Sequence, residues 1–206
     1  DSLEQMTGVI IRQTGDLRRI VDEFSKFARM PEPERRSEDL SQLLRDAVLL
    51  QKTGRPDIKL TSDVPREELP ALIDATMITQ ALTNLIKNAG EAIDTLIEDG
   101  APENLAPQVH VKLTTDETHA HITIADNGIG LPEDRARLFE PYVTTRSEGT
   151  GLGLPIVKKI IEEHGGSLTL TDAPVFDGQN HFGAMAVITL PLGLEHNGHT
   201  KEHPDE

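Results

Sequence analysis

Cysteine is absent from this 206-residue sequence. Its absence excludes disulfides and thiolate metal sites, and it fits a reducing compartment. Aromatic residues are nearly as scarce, with no Trp, one Tyr and five Phe, so a core has to be built mostly from Leu, Ile, Val and Ala. Basic residues are few: 20 Lys and Arg stand against 35 Asp and Glu, a net charge of −15. Such a surface repels nucleic acid and anionic membrane. An anionic ligand then needs local compensation from helix N-termini, a metal ion or a few placed cations. No apolar run approaches the roughly 18 residues of a membrane span, and no signal peptide is visible. The segment is therefore expected in the cytoplasm, without nucleic acid or membrane contact. No internal repeat is present. An apolar fraction of 36% remains, enough for one domain and an appendage. The sequence begins inside a helical pattern, as a fragment of a longer chain would.

Leu3, Met6, Ile10, Gln13, Leu17, Ile20, Phe24 and Phe27 recur at alternating three- and four-residue steps. This is a heptad seam with one polar interruption, and it predicts a helix that needs a partner helix. Pro31 and Pro33 end it, and the charged stretch Glu32 to Ser37 reads as a hinge. Asp39 is a candidate N-cap for a second helix stopped at Gly54. A strand is expected over residues 58–61. Asp74 can cap a third helix whose buried face is Ile78, Ala81, Leu82, Leu85, Ile86 and Ala89. The polar segment 99–108 reads as a loop. Strands at 109–113 and 121–124 predict an antiparallel hairpin, and residues 167–171 and 184–190 predict two more strands. Residues 193–206 are polar and read as a disordered tail.

The chemistry gathers in four clusters. The most prominent is Gly149-Thr150-Gly151-Leu152-Gly153-Leu154-Pro155. Alternate glycines bare the backbone N–H groups, and a helix pattern follows at once, which makes a ready anion site. Asn84 and Asn88 are four apart and share one face of the third helix. A side-chain oxygen there can join the shell of a hard cation such as Mg²⁺. Asp126-Asn127-Gly128-Ile129-Gly130 follows a strand, so a carboxylate stands beside bare backbone and can accept from a planar amine on a ligand. Leu138-Phe139-Glu140-Pro141-Tyr142-Val143-Thr144-Thr145-Arg146 lies in a long irregular stretch, 131–148, of the kind that forms lids.

In this order and spacing, the four clusters resemble the histidine-kinase branch of the gyrase/Hsp90/MutL-type ATPases, over about Ser37 to Leu192. The wording of the last two clusters is similar to nitrogen-regulation sensor kinases of the NtrB/NtrY kind. The resemblance implies an α+β fold, a two-layer α/β sandwich of the Bergerat ATP-binding type, with a mixed sheet under three helices. It implies three segments: 1–36, the second helix of a dimerisation and phosphotransfer hairpin plus hinge; 37–192, the catalytic domain; and 193–206, the tail. ATP and Mg²⁺ are the implied ligands. Asn88 would hold the metal, with Asn84 beside it. Asp126 would accept the adenine amino group, with Gly128, Ile129 and Gly130 against the base. Gly149, Thr150, Gly151, Leu152, Gly153 and Leu154 would wrap the phosphates. Phe139 would anchor the lid, Arg146 would contact the terminal phosphate, and Lys87 is a weaker phosphate candidate.

The resemblance also implies a response-regulator receiver domain as partner, a homodimer in the full-length protein and a membrane-anchored parent. Where hydrolysing relatives carry a water-activating Glu, four residues before the metal Asn, this sequence has Asn84. The γ-phosphoryl is then kept for a protein acceptor rather than water. Glu91 stands where many relatives have a phosphate-contacting Lys, and Ala184 where they have a Thr supporting the adenine-binding Asp. None of the eight His residues has the helical phosphoacceptor context, so no autophosphorylation is expected of this segment. A serine kinase of the same fold, an ATP-gated conformational switch and a nucleotide-free interaction module are the alternative readings.

Overall fold

A computed structural model describes residues 2–141, 151–176 and 183–193. Among the described residues, seven strands and four α-helices follow in the order α1 (Ser2–Ala28), β1 (Arg36–Asp39), α2 (Leu40–Gly54), β2 (Lys59–Asp63), β3 (Pro70–Ile73), α3 (Ala75–Glu98), β4 (Gln108–Thr115), β5 (His119–Asp126), α4 (Gly153–Glu163), β6 (Ser167–Asp172) and β7 (Ala184–Pro191). Strands β2, β4, β5, β7 and β6 form one sheet in that order. The β2–β4 pair is parallel and the other pairs are antiparallel, so the sheet is mixed.

Alternation decides which face is covered. Val109, Val111 and Leu113 of β4, Ile122 and Ile124 of β5, and Ile188 and Leu190 of β7 are buried. They meet the apolar faces of α2, α3 and α4, which lie side by side across one face of the sheet. The intervening residues, such as Lys112 and Thr123, stand on the opposite, helix-free face. This is the two-layer sandwich, with the core between sheet and helices.

Local chemistry fixes the helix ends. The Asp74 carboxylate accepts from the Met77 N–H at 3.1 Å, capping α3. Gly165, at φ +75°, closes α4: its N–H donates to Glu162 O and the Gly166 N–H to Ile161 O. The pair forms a Schellman motif. The six residues expected on the buried face of α3 are all buried, joined by Met77, Gly90 and Ile93.

Several expectations are corrected. Charged residues at the end of the expected hinge form β1, which pairs antiparallel with β3, a strand the sequence did not announce. Asp39 precedes α2, but its carboxylate accepts from Leu69 N–H at 3.0 Å rather than from the first turn of the helix. A 3₁₀ helix, Arg135–Phe139, interrupts the stretch expected to be irregular. Along α1, Met6, Ile10, Leu17 and Phe24 are exposed, whereas Phe27 packs on the core. The Lys159 ammonium donates to Phe27 O at 3.3 Å and lies over its ring, fastening the end of α1 to α4. The expected tail lies outside the described residues beyond Gly193.

Candidate functional site

The face of α3 that carries Asn84 and Asn88 continues one turn on to Ala92, and two other segments close on it. The turn after β5 meets Ala92: the Ile129 N–H donates to Ala92 O at 3.0 Å. A Cβ on Gly128 would lie 2.5 Å from the Ala92 carbonyl carbon. Gly128 is therefore required by the helix backbone itself, besides any ligand. One turn back, a Cβ on Gly153 would lie 3.8 Å from Asn88 Nδ2 and 3.9 Å from its Oδ1. The first residue of α4 is thus set directly against the Asn88 amide. Asn84 and Asn88 are half-buried.

Asp126 ends β5 and is 4% exposed. One carboxylate oxygen, Oδ1, accepts from Gly128 N–H at 2.9 Å and from Ala184 N–H at 3.3 Å. Two backbone donors on one oxygen orient a carboxylate firmly. The second comes from the main chain of Ala184, the residue whose side chain departs from the family pattern. A Cβ on Gly183 would fall 1.8 Å from Asp126 O, so β7 approaches this site through bare backbone as well. Asn127 is fully buried and points elsewhere. Its Oδ1 accepts from Gln108 N–H at 2.8 Å and its Nδ2 donates to Ala106 O at 2.7 Å. It ties the start of β4 and the loop before it to the Asp126 turn.

Gly130, at φ +80°, turns the chain away from β5, and Ile129 is exposed. The 3₁₀ helix that follows is pinned at both ends. Arg135 donates to Asp172 at 2.7 and 2.9 Å, and the Lys158 ammonium stands 4.9 Å from the centre of the Phe139 ring. Phe139 is half-buried against the core. Leu152 is fully buried ahead of α4 and Leu154 packs beside it, while Gly151 has φ +69°. Arg146, Gly149 and Thr150 lie outside the described residues.

The structure therefore brings together Asn84, Asn88, Asp126, Gly128 and Gly153. It does not bring in Lys87, which is exposed, pairs with Glu91 at 3.7 Å and lines a cavity on the other flank of α3. Sequence reasoning missed Asn127, because Asn-Gly after a strand reads as a solvated turn.

Four of the eight histidines are among the described residues. His110, His119 and His121 are on strands. His164 caps the end of α4 with both ring nitrogens engaged. Its Nε2 accepts from Asp74 N–H at 3.0 Å, so its Nδ1, 2.7 Å from Ile160 O, carries the proton.

A family model described as histidine kinase-, DNA gyrase B- and HSP90-like ATPase matches residues 73–194. The chain belongs to this family. The match begins at the end of β3 and takes in every segment around Asn88 and Asp126. Nitrogen regulation protein NtrY of Azorhizobium caulinodans is 49% identical over 174 residues, covering 83% of this chain and 22% of that protein. A putative NtrY-like sensor histidine kinase of Rickettsia bellii is 36% identical, covering 93% of this chain and 29% of that protein. The chain thus spans under a third of the length of these curated relatives. Among solved structures, the catalytic domain of the histidine kinase ThkA has a TM-score of 0.62 at 28% identity, covering 77% of this chain and 96% of that one. Full-length ShkA in complex with AMPPNP has a TM-score of 0.69 at 26% identity, covering 89% of this chain and 37% of that one. The Bergerat-type sandwich of this ATPase family is therefore the fold of this chain.

Proposed function

We infer that this chain is the ATP-binding catalytic unit of a sensor histidine kinase. In this reading it passes the γ-phosphoryl of ATP to a histidine on a separate helical segment, for relay to a receiver-domain aspartate of a response regulator. The observation that carries the reading is the convergence of Asp126, Asn88 and Gly153 along one face of α3. The AMPPNP in the ShkA complex supports a nucleotide as the ligand.

Asp126 accepts the exocyclic amine of the purine, its orientation set by the two N–H groups on Oδ1. Backbone at 128–130 gives the ring a flat wall. The start of α4 offers its N-terminal N–H groups to phosphate oxygens. Asn88 supplies a neutral oxygen beside that helix end, the hard donor that Mg²⁺ accepts alongside phosphates. When bound, the metal neutralises phosphate charge. Among the described residues no group of three or more His, Asp or Glu could hold a metal by itself. Asn84, carrying no base, leaves water unactivated. The remaining catalytic contribution is positioning and charge neutralisation, with Arg146 and the glycines 149 and 151 assigned to the phosphates and Phe139 to the lid anchor.

We assign residues 1–36 to the second helix of a dimerisation hairpin and the hinge. The exposed apolar seam of α1 supports that assignment. Among the described residues no helix is long and apolar enough to cross a membrane. The test is to add a separate hairpin bearing a histidine, with labelled ATP. Label on the hairpin supports the kinase; release of free phosphate with no labelled hairpin points to the gated-switch reading.

A further inference from the structure

On the flank of α3 away from Asn84 and Asn88, a cavity of about 380 Å³ opens between the end of α2 and α3. That volume is in the range of small-molecule sites. Two glycines make it. Gly54, at the end of α2, has nothing within 4 Å of where a Cβ would be. At Gly90 a Cβ would lie 3.2 Å from Arg55 Nη1 and 3.3 Å from Ile58 Cδ1. The floor is aliphatic: Ile58, Leu60, Ile86 and Val109.

The polar wall decides the ligand chemistry. Arg55 donates through Nε and Nη2 to Asp57 and through Nη1 and Nη2 to Asp94, at 2.7–3.2 Å. Both bidentate edges of the guanidinium are taken, so it cannot fork a carboxylate or phosphate. Its hydrogen bonds to Asp57 and then Asp94 raise its pKa above the ordinary value. What such a group still offers is the face of its plane, which stacks on aromatic rings. Of the charged side chains lining the cavity, Arg55 is paired with Asp94 and Lys87 with Glu91, so an anion entering it meets no cation that is not already engaged.

We propose that this cavity is a binding site for a small planar aromatic molecule, neutral or cationic, stacked on Arg55 over the aliphatic floor. It is separate from the nucleotide site and does not depend on that reading. Indole, tryptamine and indole-3-acetate share one ring system and differ in charge. Titrating each into the ¹⁵N-labelled chain, followed by NMR, is the test. Indole and tryptamine should shift the amides of Gly54, Gly90 and Glu91 saturably, with dissociation constants on the order of 1 mM or below, and indole-3-acetate should bind at least about tenfold more weakly. Gly54→Phe, which places a ring in open space at the cavity wall, should abolish these shifts with melting unchanged. Arg55→Lys, which keeps the charge and loses the plane, should weaken them about tenfold, and it serves as the test if Gly54→Phe does not fold. Absence of saturable shifts, shifts confined to the Asp126 turn, equal binding of the anion, or binding unaffected in either folded variant would overturn the proposal.

Discussion

Asp126 and its neighbour show how two adjacent polar residues come to do different work. In Asp126→Asn, the side-chain carbonyl can still accept from Gly128 and Ala184. The unliganded fold should then melt as the wild type does, while the charge-assisted bond to a purine amine is lost. Nucleotide affinity should fall by about 1.5–3 kcal/mol, roughly ten- to a hundredfold. Equal drops in unliganded stability and in affinity would instead make Asp126 a structural residue. Asn127→Ala reverses the pattern: it removes the bonds to the half-buried Gln108 N–H and to Ala106 O, at about 0.5–1.5 kcal/mol each. Denaturant unfolding measures it, and an unchanged midpoint would contradict the assignment. Asp126 was legible because a strand-end carboxylate beside glycines is a local pattern. Asn127 was not, since its partners lie about twenty residues back along the chain and only the folded sheet brings them near.

Elements were legible in proportion to their length and periodicity. α2, α3, the β4–β5 hairpin and the last two strands each carry enough apolar repeats to declare themselves. β1 and β3 have four residues each, one reading Arg-Ser-Glu-Asp, and neither repeats long enough to show a period. The 3₁₀ helix was hidden for a related reason, since Asp172 and Lys158, which hold it, come from β6 and α4. The contact between the Asp126 turn and α3 yields an element-scale prediction. Gly128→Ala forces a methyl against the Ala92 backbone, which cannot swing aside as a flexible side chain would. The turn has to retreat from α3, at a cost of about 1–3 kcal/mol by analogy with overpacked cores, and nucleotide affinity should fall with it. Denaturant unfolding and calorimetry on the same sample check both, and wild-type values in each would show that the approach is looser than described.

For the whole molecule, the excess of acid sets the response to pH. The His121 hydrogen bond, followed by the N–H groups of Thr118 and His119, holds Asp116 below the usual carboxylate range. Hydrogen bonds from Arg55 hold Asp57 down likewise. Folded values below unfolded ones mean stabilisation that is complete above the ordinary value of 3.8 and is lost as pH falls through the folded values. The melting temperature should therefore drop as pH is lowered from about 5, and Asp116→Asn should flatten part of that fall. An acid slope unchanged in the variant would refute the assignment to Asp116. The sandwich itself was expected from the family resemblance, whereas the fastening of α1 to α4 through Lys159 and Phe27 spans 132 residues and is a property of the assembled fold.

The central claim is that one face of α3, the Asp126 turn and the start of α4 enclose a nucleotide. Calorimetric titration of this chain with a non-hydrolysable ATP analogue, with and without Mg²⁺, measures it directly. Saturable binding that tightens with Mg²⁺ and weakens in Asp126→Asn is the predicted result; no heat and no shift in melting up to millimolar nucleotide would contradict it.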